Sequence, residues 1–123
     1  MKGNYKYAIE EHIIDEELVE VAMQIILRAG EARTEIKHAL NDLEKFDYRN
    51  ADLKLAKAKG FMTEAHRAQT KIIQGEAGGE KRAHSLLFAH AQDTLMTIFS
   101  ELNITMSLVG IVKSIEYKVN NSK

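Results

Sequence analysis

The chain contains no proline, and its apolar residues recur every three or four positions over three long stretches. Without proline nothing forces a break in a helix, and this spacing places the apolar side chains along one face of each helix. A short polar segment at 44–50 and a glycine-rich segment at 75–82 separate the stretches. The pattern therefore predicts an all-α fold, an antiparallel three-helix bundle with helices near 16–45, 48–74 and 85–118.

The third stretch differs from the other two because it has two apolar faces. One face carries Leu87, Ala91, Leu95, Phe99, Leu102, Met106, Val109 and Val112. The second is smaller and mixed, and it carries Leu86, Ala89, Asp93, Met96, Ser100, Ile104, Ser107 and Ile111. A helix in a monomeric bundle needs only one such face. The second face therefore predicts packing against copies of the same helix, with Asp93 on the seam.

Composition narrows the classes of function. The formal net charge of -1 gives no electrostatic case for binding nucleic acid or an anionic membrane. The absence of cysteine fits a reducing compartment and removes thiolate catalysis and cysteine-ligated zinc. No apolar run approaches the ~20 residues that span a bilayer, and residues 1–14 do not have the pattern of a secretory signal. We expect a cytoplasmic protein without direct membrane insertion, with an N-terminal extension at 1–14 and one domain at 15–120.

The apolar run near the start of the third helix contains the polar side chains of His90, Gln92 and Asp93. His90 and Asp93 are three residues apart and so lie on nearly the same face, whereas Gln92 points roughly the opposite way. Because polar groups are costly to bury without partners, these are either hydrogen-bonded core residues or a working site. On the second helix, His66 with Gln69 one turn later is open to the same two interpretations.

The glycines have structural explanations. Gly30, Gly60 and Gly110 fall inside predicted helices, where each costs ~1 kcal/mol relative to alanine. Close approach of neighbouring helices would explain them, and room for a ligand beside Gly30 is the alternative. The segment 75–82 lacks the spacing and the Lys-Ser/Thr ending of a phosphate-binding loop, so we expect a flexible connector there.

Three segments together carry a family resemblance. They are Ala-Gly-Glu-Ala-Arg at 29–33, Glu-Ala-His-Arg-Ala-Gln-Thr at 64–70, and Ser-Leu-Leu-Phe-Ala-His-Ala-Gln-Asp-Thr-Leu-Met-Thr at 85–97. In order and spacing, the chain resembles the enzyme IIA component of the lactose/cellobiose (and chitobiose) class of the bacterial sugar phosphotransferase system. It departs from that family at Thr94, where a histidine is common, and over 100–123, where the usual ending is acidic and leucine-rich.

The resemblance implies a phosphohistidine relay. His90 would accept a phosphoryl group from the phosphocarrier protein HPr and pass it to a cysteine of the IIB component, serving the IIC permease indirectly. Asp93 would bind a metal ion on the three-fold axis of a homotrimer, and an all-oxygen site suits Mg²⁺ or another hard cation. Gln92 from a neighbouring subunit, with His66 and Gln69, would support the phosphoryl site.

The residue types suit this chemistry. Histidine, with a reference pKa near 6.5, is largely unprotonated in the cytoplasm and can act as the nucleophile. No Lys or Arg adjoins His90 in the sequence, so positive charge must come from elsewhere in the trimer or from the partner. An alanine directly after the histidine, here Ala91, resembles the cellobiose/chitobiose branch of the family. The expected cargo is therefore a β-linked disaccharide of that type, and lactose is less favoured.

Two other classes of function fit parts of the pattern. A non-catalytic, oligomerising helical interaction module would use the polar seam of the third helix only to set its register. A helix-bundle metal enzyme would need Glu-x-x-His pairs on facing helices, and only His90 with Asp93 comes close. Detection of acid-labile phosphate on one histidine would distinguish the phosphohistidine relay from both of these alternatives.

Overall fold

The computed structural model describes residues 15–82 and 85–122, and the predicted extension at 1–14 lies outside them. In this part of the chain the regular structure consists of three long helices: α1 at Glu16–Glu44, α2 at Tyr48–Ala77 and α3 at Leu86–Asn121. The predicted all-α, three-helix architecture is confirmed, with every boundary within three residues of the expected one.

Each helix begins at a capping side chain. Asp15, Asp47 and Ser85 each accept a hydrogen bond from the backbone amide three residues later, at 3.0, 3.2 and 3.0 Å respectively. Such a cap satisfies one of the amides that a helix leaves free at its first turn. The Ser85 cap therefore fixes where α3 starts and, with it, the position of the polar residues one turn later.

The core follows a strict heptad spacing on all three helices. The buried positions of α1 alternate steps of four and three: Leu18, Ala22, Ile25, Ala29, Ala32, Ile36, Ala39 and Leu43. The same alternation gives Ala51, Leu55, Ala58, Met62, Ala65 and Ile72 on α2, with Gln69 at the intervening position. A repeat of 3.5 residues is typical of helices that supercoil gently around one another. α1 packs along both other helices, whereas α2 and α3 contact each other least.

The predicted core face of α3 is partly wrong. Its buried residues are Phe88, Ala91, Leu95, Ile98, Leu102, Thr105 and Val109. Three expected core residues, Leu87, Phe99 and Met106, are each replaced by an immediate neighbour. Apolar residues are distributed so evenly around this helix that periodicity alone left the rotation of the inner face undecided. Thr105 is tolerated in the core because its hydroxyl donates to the carbonyl of Glu101 at 2.7 Å.

The second apolar face of α3 is uncovered within the subunit. Its large side chains remain mostly in solvent: Leu86 is 81% exposed, Met96 65%, Ile104 58% and Ile111 52%. A contiguous row of exposed apolar side chains usually marks an interaction surface. The face predicted from the sequence to pack against other copies of the chain is thus uncovered in a single subunit.

The expectation about membrane length needs correcting. α3 contains an 18-residue window with a mean hydropathy of 1.6, so by length and composition it could cross a bilayer. The polar residues that interrupt this stretch are mainly Ser, Thr and Asn, which lower hydropathy much less than charged residues do. Length and hydropathy alone are weak evidence for a membrane span, because the apolar helices of soluble bundles meet the same criteria.

Close helix approach within the subunit does not explain the glycines inside the helices. A Cβ atom placed on Gly30, Gly60 or Gly110 would meet nothing within 4 Å. The explanation expected from the sequence is therefore wrong within one subunit. Gly79 is different, since its φ of 101° lies in the left-handed region that favours glycine.

We expect Gly60→Ala to raise the free energy of unfolding by up to about 1 kcal/mol, because alanine is the better helix former and the site has room. Urea unfolding at one protein concentration measures this difference. Gly79→Ala is the control and should destabilise the protein, since alanine tolerates a positive φ poorly. A loss of stability in Gly60→Ala would show that something outside the subunit approaches this position.

Candidate functional site

His90 lies on the outer side of α3, just after its first turn. Its side chain is exposed, and it shares an open depression with Leu86, Leu87, Ala89 and Asp93. Asp93, one turn later, is also exposed. The two residues thus face the same depression, as their spacing predicts, and the imidazole is open to a partner that approaches from solvent.

Two threonine side chains form hydrogen bonds to the backbone of these two residues and leave the His90 and Asp93 side chains unengaged by them. The hydroxyl of Thr94 donates to the carbonyl of His90 at 2.9 Å, and that of Thr97 donates to the carbonyl of Asp93 at 2.8 Å. These are hydrogen bonds back to the preceding turn of the same helix. Thr94, which stands where the family commonly has histidine, is therefore engaged with its own backbone.

Gln92 lies on a different side of α3 from His90. It is half-buried and lines a groove between the start of α1, the end of α2 and the start of α3, together with Leu18, Ile73 and Arg82. Its predicted direction away from His90 is therefore observed. Within one subunit Gln92 does not join the depression at His90, so a supporting role requires a second subunit.

His66 and Gln69 are also separate from His90 within one subunit. The His66 ring meets the Phe99 ring edge-on, with centroids 6.1 Å apart and planes at 87°. Phe99 comes nine residues after His90 on α3, which is about 14 Å along the axis. Gln69 is half-buried one turn further along α2, towards the start of α3. Any contact of this pair with the phosphoryl site would have to involve the His90 of another subunit.

No metal site exists within the described part of a single subunit. Residues 15–82 and 85–122 contain no group of three or more His, Cys, Asp or Glu side chains placed to hold an ion. Asp93 offers one carboxylate, which is too few for a hard divalent cation with at least six oxygen ligands. Three copies of Asp93 with water would supply a suitable all-oxygen donor set, so the residue fits a metal only in an assembly.

Comparison with known proteins identifies the family. The profile described as "PTS system, Lactose/Cellobiose specific IIA subunit" matches residues 20–113. The chain belongs to this family. It is therefore an enzyme IIA component of a sugar phosphotransferase system, as its three motifs indicated.

Individual relatives of this IIA protein agree with the assignment but name different sugars. The chain is 34% identical to the lichenan-specific phosphotransferase enzyme IIA component of Bacillus subtilis over 102 residues, which cover 83% of this chain and 93% of that protein. It is 35% identical to the lactose-specific EIIA component of Lacticaseibacillus casei over 101 residues, covering 82% and 90%. A solved structure, the Escherichia coli IIA(Chitobiose)–HPr complex, matches with a TM-score of 0.71 and 32% identity, covering 80% and 96%.

Arg82 is a residue of this region that the sequence analysis missed. Its guanidinium pairs with the carboxylates of Asp15 at 3.0 Å, Glu17 at 3.2 Å and Glu80 at 3.5 Å. The expected flexible connector is thus anchored to the start of α1 close to where α3 begins. A basic residue at the end of a glycine-rich loop and an acidic run at 15–17 were the available signals, but only the fold shows that they meet.

Asp15 links this anchor to the helix cap. The pKa of its carboxyl lies below its usual value, because it accepts the Leu18 amide and, next in importance, pairs with the Arg82 guanidinium. A lowered pKa in the folded state means that the stabilisation is complete above the usual value of 3.8 and is lost as pH falls through the lower, folded value. The connector should therefore loosen in acid.

We expect Asp15→Asn to lower the free energy of unfolding by about 1 kcal/mol at neutral pH, because asparagine keeps the cap but loses the ion pair. The difference from wild type should vanish below the folded pKa of Asp15, and urea unfolding at several pH values measures it. Asp47→Asn is the matched control, since its pKa is lowered mainly by hydrogen bonds from Asn50. Equal losses in the two variants would contradict a role for Arg82.

Proposed function

We propose that His90 of this IIA protein accepts a phosphoryl group from HPr and hands it to a cysteine of the IIB component, in the cytoplasm. The observation that carries the proposal is the exposed imidazole on α3 within the family's most specific segment, 85–97. A second support is the fold match to a IIA structure solved together with HPr. The expected donor and acceptor are thus both proteins.

The chemistry requires positioning more than covalent machinery. In-line transfer needs a neutral nitrogen nucleophile, free access for the donor, and stabilisation of the charge on the transferring group. His90 offers the nucleophile on a rigid helix, and its exposure gives access from solvent. The acceptor cysteine must lie on the partner, because this chain has none.

The proposed assembly is a homotrimer in which the outer faces of α3 meet on a three-fold axis. The uncovered apolar row on α3 supports this arrangement, since it is too large to leave in water without a function. In such a trimer three copies of Asp93 converge, and a shared Mg²⁺ or another divalent cation would neutralise their mutual repulsion. Gln92, His66 and Gln69 would then act on the His90 of a neighbouring subunit.

The proposed cargo is a β-linked disaccharide of the cellobiose/chitobiose type. The relatives include lichenan and lactose components, and the matched structure is a chitobiose component. The alanine at position 91, directly after His90, supports the cellobiose/chitobiose branch over lactose. Transport assays with the cognate IIB and IIC components and each sugar would test this choice.

His90→Gln should fold and assemble as wild type does but should take up no phosphate, because the nucleophile is gone. The experiment incubates the protein with phosphoenolpyruvate and the general phosphotransferase proteins, then maps acid-labile phosphate. His38→Gln is the control, an exposed histidine on α1 outside the proposed site, and it should still be labelled on His90. Label that persists in His90→Gln would overturn the assignment. A wild-type trimer that takes up none would favour the non-catalytic module.

Asp93→Leu should keep the trimer and raise its melting temperature, because apolar packing replaces a cluster of like charges at the axis. It should also abolish any stabilisation by Mg²⁺, and His90 should still accept phosphate. Melting both proteins with Mg²⁺ and with EDTA tests this, with sedimentation equilibrium as the check on assembly. An axial metal is contradicted if Asp93→Leu dissociates, or if chelation leaves wild type unchanged.

A further inference from the structure

α3 extends past the end of α1, at the end of the bundle opposite the phosphoryl site. The helices run up, down and up, so α1 and α3 are parallel, and the ion pair between Arg33 and Glu101 sets their register at 68 residues. α1 ends at Glu44, so its end is level with position 112 of α3. The remainder of α3, 113–121, therefore continues for about 13 Å past that level.

This overhang carries large apolar side chains that remain more than half exposed in the described part of the chain. Ile115 is 57% exposed, Tyr117 69% and Val119 52%. Phe46, in the turn between α1 and α2, is 52% exposed, and with Ile115 and Val119 it lines a cavity of about 250 Å³. We call these four residues the apolar tip.

Phe46 has an unfavourable backbone conformation. Its φ of 60° lies in the left-handed region, which glycine adopts freely and a bulky residue adopts rarely. The residue just after a helix often takes this conformation, and it is then usually glycine. Phenylalanine gains little burial here, since more than half of the residue is in solvent. The stability of the subunit therefore does not explain the ring.

The proposed trimer leaves the apolar tip uncovered as well. Ser114 follows Asp93 by three heptads, so the side of α3 that would face the axis becomes polar at this end. Ile115 follows Glu101, which binds α1, by two heptads. Val119 falls on the line of the buried core residues of α3. Both apolar side chains thus continue the inward sides of the helix beyond the point where α1 covers them.

The same end of the bundle is basic, although the chain as a whole is nearly neutral. Residues 37–59 and 106–122, which form this half, contain eight Lys or Arg and five Asp or Glu. Residues 15–36 and 60–105, which form the half with His90, contain six Lys or Arg and eleven Asp or Glu. The formal net charge of -1 hides this asymmetry. What each end attracts depends on its own charge and not on the total.

Three cations lie close to the apolar tip. Lys45 directly precedes Phe46, Arg49 lies in the first turn of α2, and Lys118 lies on the overhang. All three are exposed, and within residues 15–82 and 85–122 none of them forms an ion pair. A negatively charged partner would therefore gain from all three without displacing a carboxylate of the subunit.

We propose that the apolar tip and its three cations dock on the surface of an anionic membrane without spanning it. Peripheral proteins bind such surfaces through apolar side chains that enter the headgroup region and through Lys and Arg that attract anionic lipid. The tip provides both contributions. His90 lies about 33 Å along α3 from the level where α1 ends, so docking would leave it facing the cytoplasm. The proposal goes beyond the proposed function and does not require phosphoryl transfer.

The proposed assembly favours a membrane over an acidic protein. Three parallel α3 helices around an axis would point their overhangs in the same direction and place three apolar tips in one plane. A lipid surface is flat and meets all three together, so the weak contacts of the single tips reinforce one another. A globular partner has no such match to the three-fold arrangement. An acidic protein and a second copy of the assembly are outcomes of the tests below.

Lys45→Gln combined with Arg49→Gln tests the charge, and Lys71→Gln combined with Lys81→Gln is the matched control. Both pairs remove two exposed cations, but the control pair lies in the half with His90. The assay measures co-sedimentation of the full chain with vesicles of phosphatidylglycerol and phosphatidylcholine in equal parts, and with vesicles of phosphatidylcholine alone. Wild type should bind only the anionic vesicles. The tip pair should weaken that binding at least about tenfold at low salt, because every subunit loses two cations. The control pair should bind as wild type does.

Phe46→Gly tests the apolar contact and separates it from folding. Glycine relieves the positive φ, so the free energy of unfolding should not fall, yet vesicle binding should weaken several-fold because the ring is lost. Urea unfolding and co-sedimentation of the same samples measure the two effects. A variant that loses stability and binding together would show that Phe46 acts through the fold, against an apolar contact with lipid.

The outcomes separate membrane docking from the proposed function and from other partners. If wild type ignores anionic vesicles, or if the tip and control pairs weaken binding equally, membrane docking is overturned. It is also overturned if the tip pair lowers the oligomeric state in sedimentation equilibrium, since the tip then contacts another copy. Slower phosphate uptake on His90 by the tip pair without vesicles would likewise assign the tip to a protein partner. Vesicle binding by a wild type that takes no phosphate would leave docking intact and refute the proposed function.

Discussion

The packing of α3 against α1 through a shared heptad repeat determines how the rest of the molecule is presented. Ala91, Leu95 and Leu102 are buried on this inner seam, and their 3.5-residue spacing holds one side of α3 inward along its length. The opposite side must then face out, and it carries His90 and Asp93. His90 is thus exposed by the same geometry that buries the core.

Outward presentation creates a physical conflict that assembly would resolve. The face with Asp93 also carries Leu86, Met96 and Ile104, each more than half exposed. Leaving this row in water is unfavourable, whereas packing it around an axis would bury the apolar side chains and bring the Asp93 carboxylates together. The proposed cation would neutralise the repulsion between these carboxylates. The high hydropathy of α3 has a related origin, since a helix with two apolar faces resembles a membrane span in composition.

Much of the fold and part of the site could be predicted from the sequence. Periodicity located the helices because heptad spacing and capping residues such as Ser85 are local signals. It did not fix the rotation of α3, because Leu87 and Phe88 are both apolar and only the packed partner decides between them. Arg82 was missed because its ion pairs join residues far apart in sequence. The separation of His66 from His90 likewise follows from the register of two helices, which no motif encodes.

In the proposed trimer, the outer faces of α3 meet in parallel around a common axis. The chain has no cysteine, so Ser107→Cys introduces one unique site for a spin label near the C-terminal end of that face. Pulsed dipolar spectroscopy should then give a single short distance, set by the spacing of neighbouring helix axes, about 10 Å, plus the reach of the labels. No dipolar coupling at micromolar concentration, or a long distance as in an antiparallel pair, would contradict the claim.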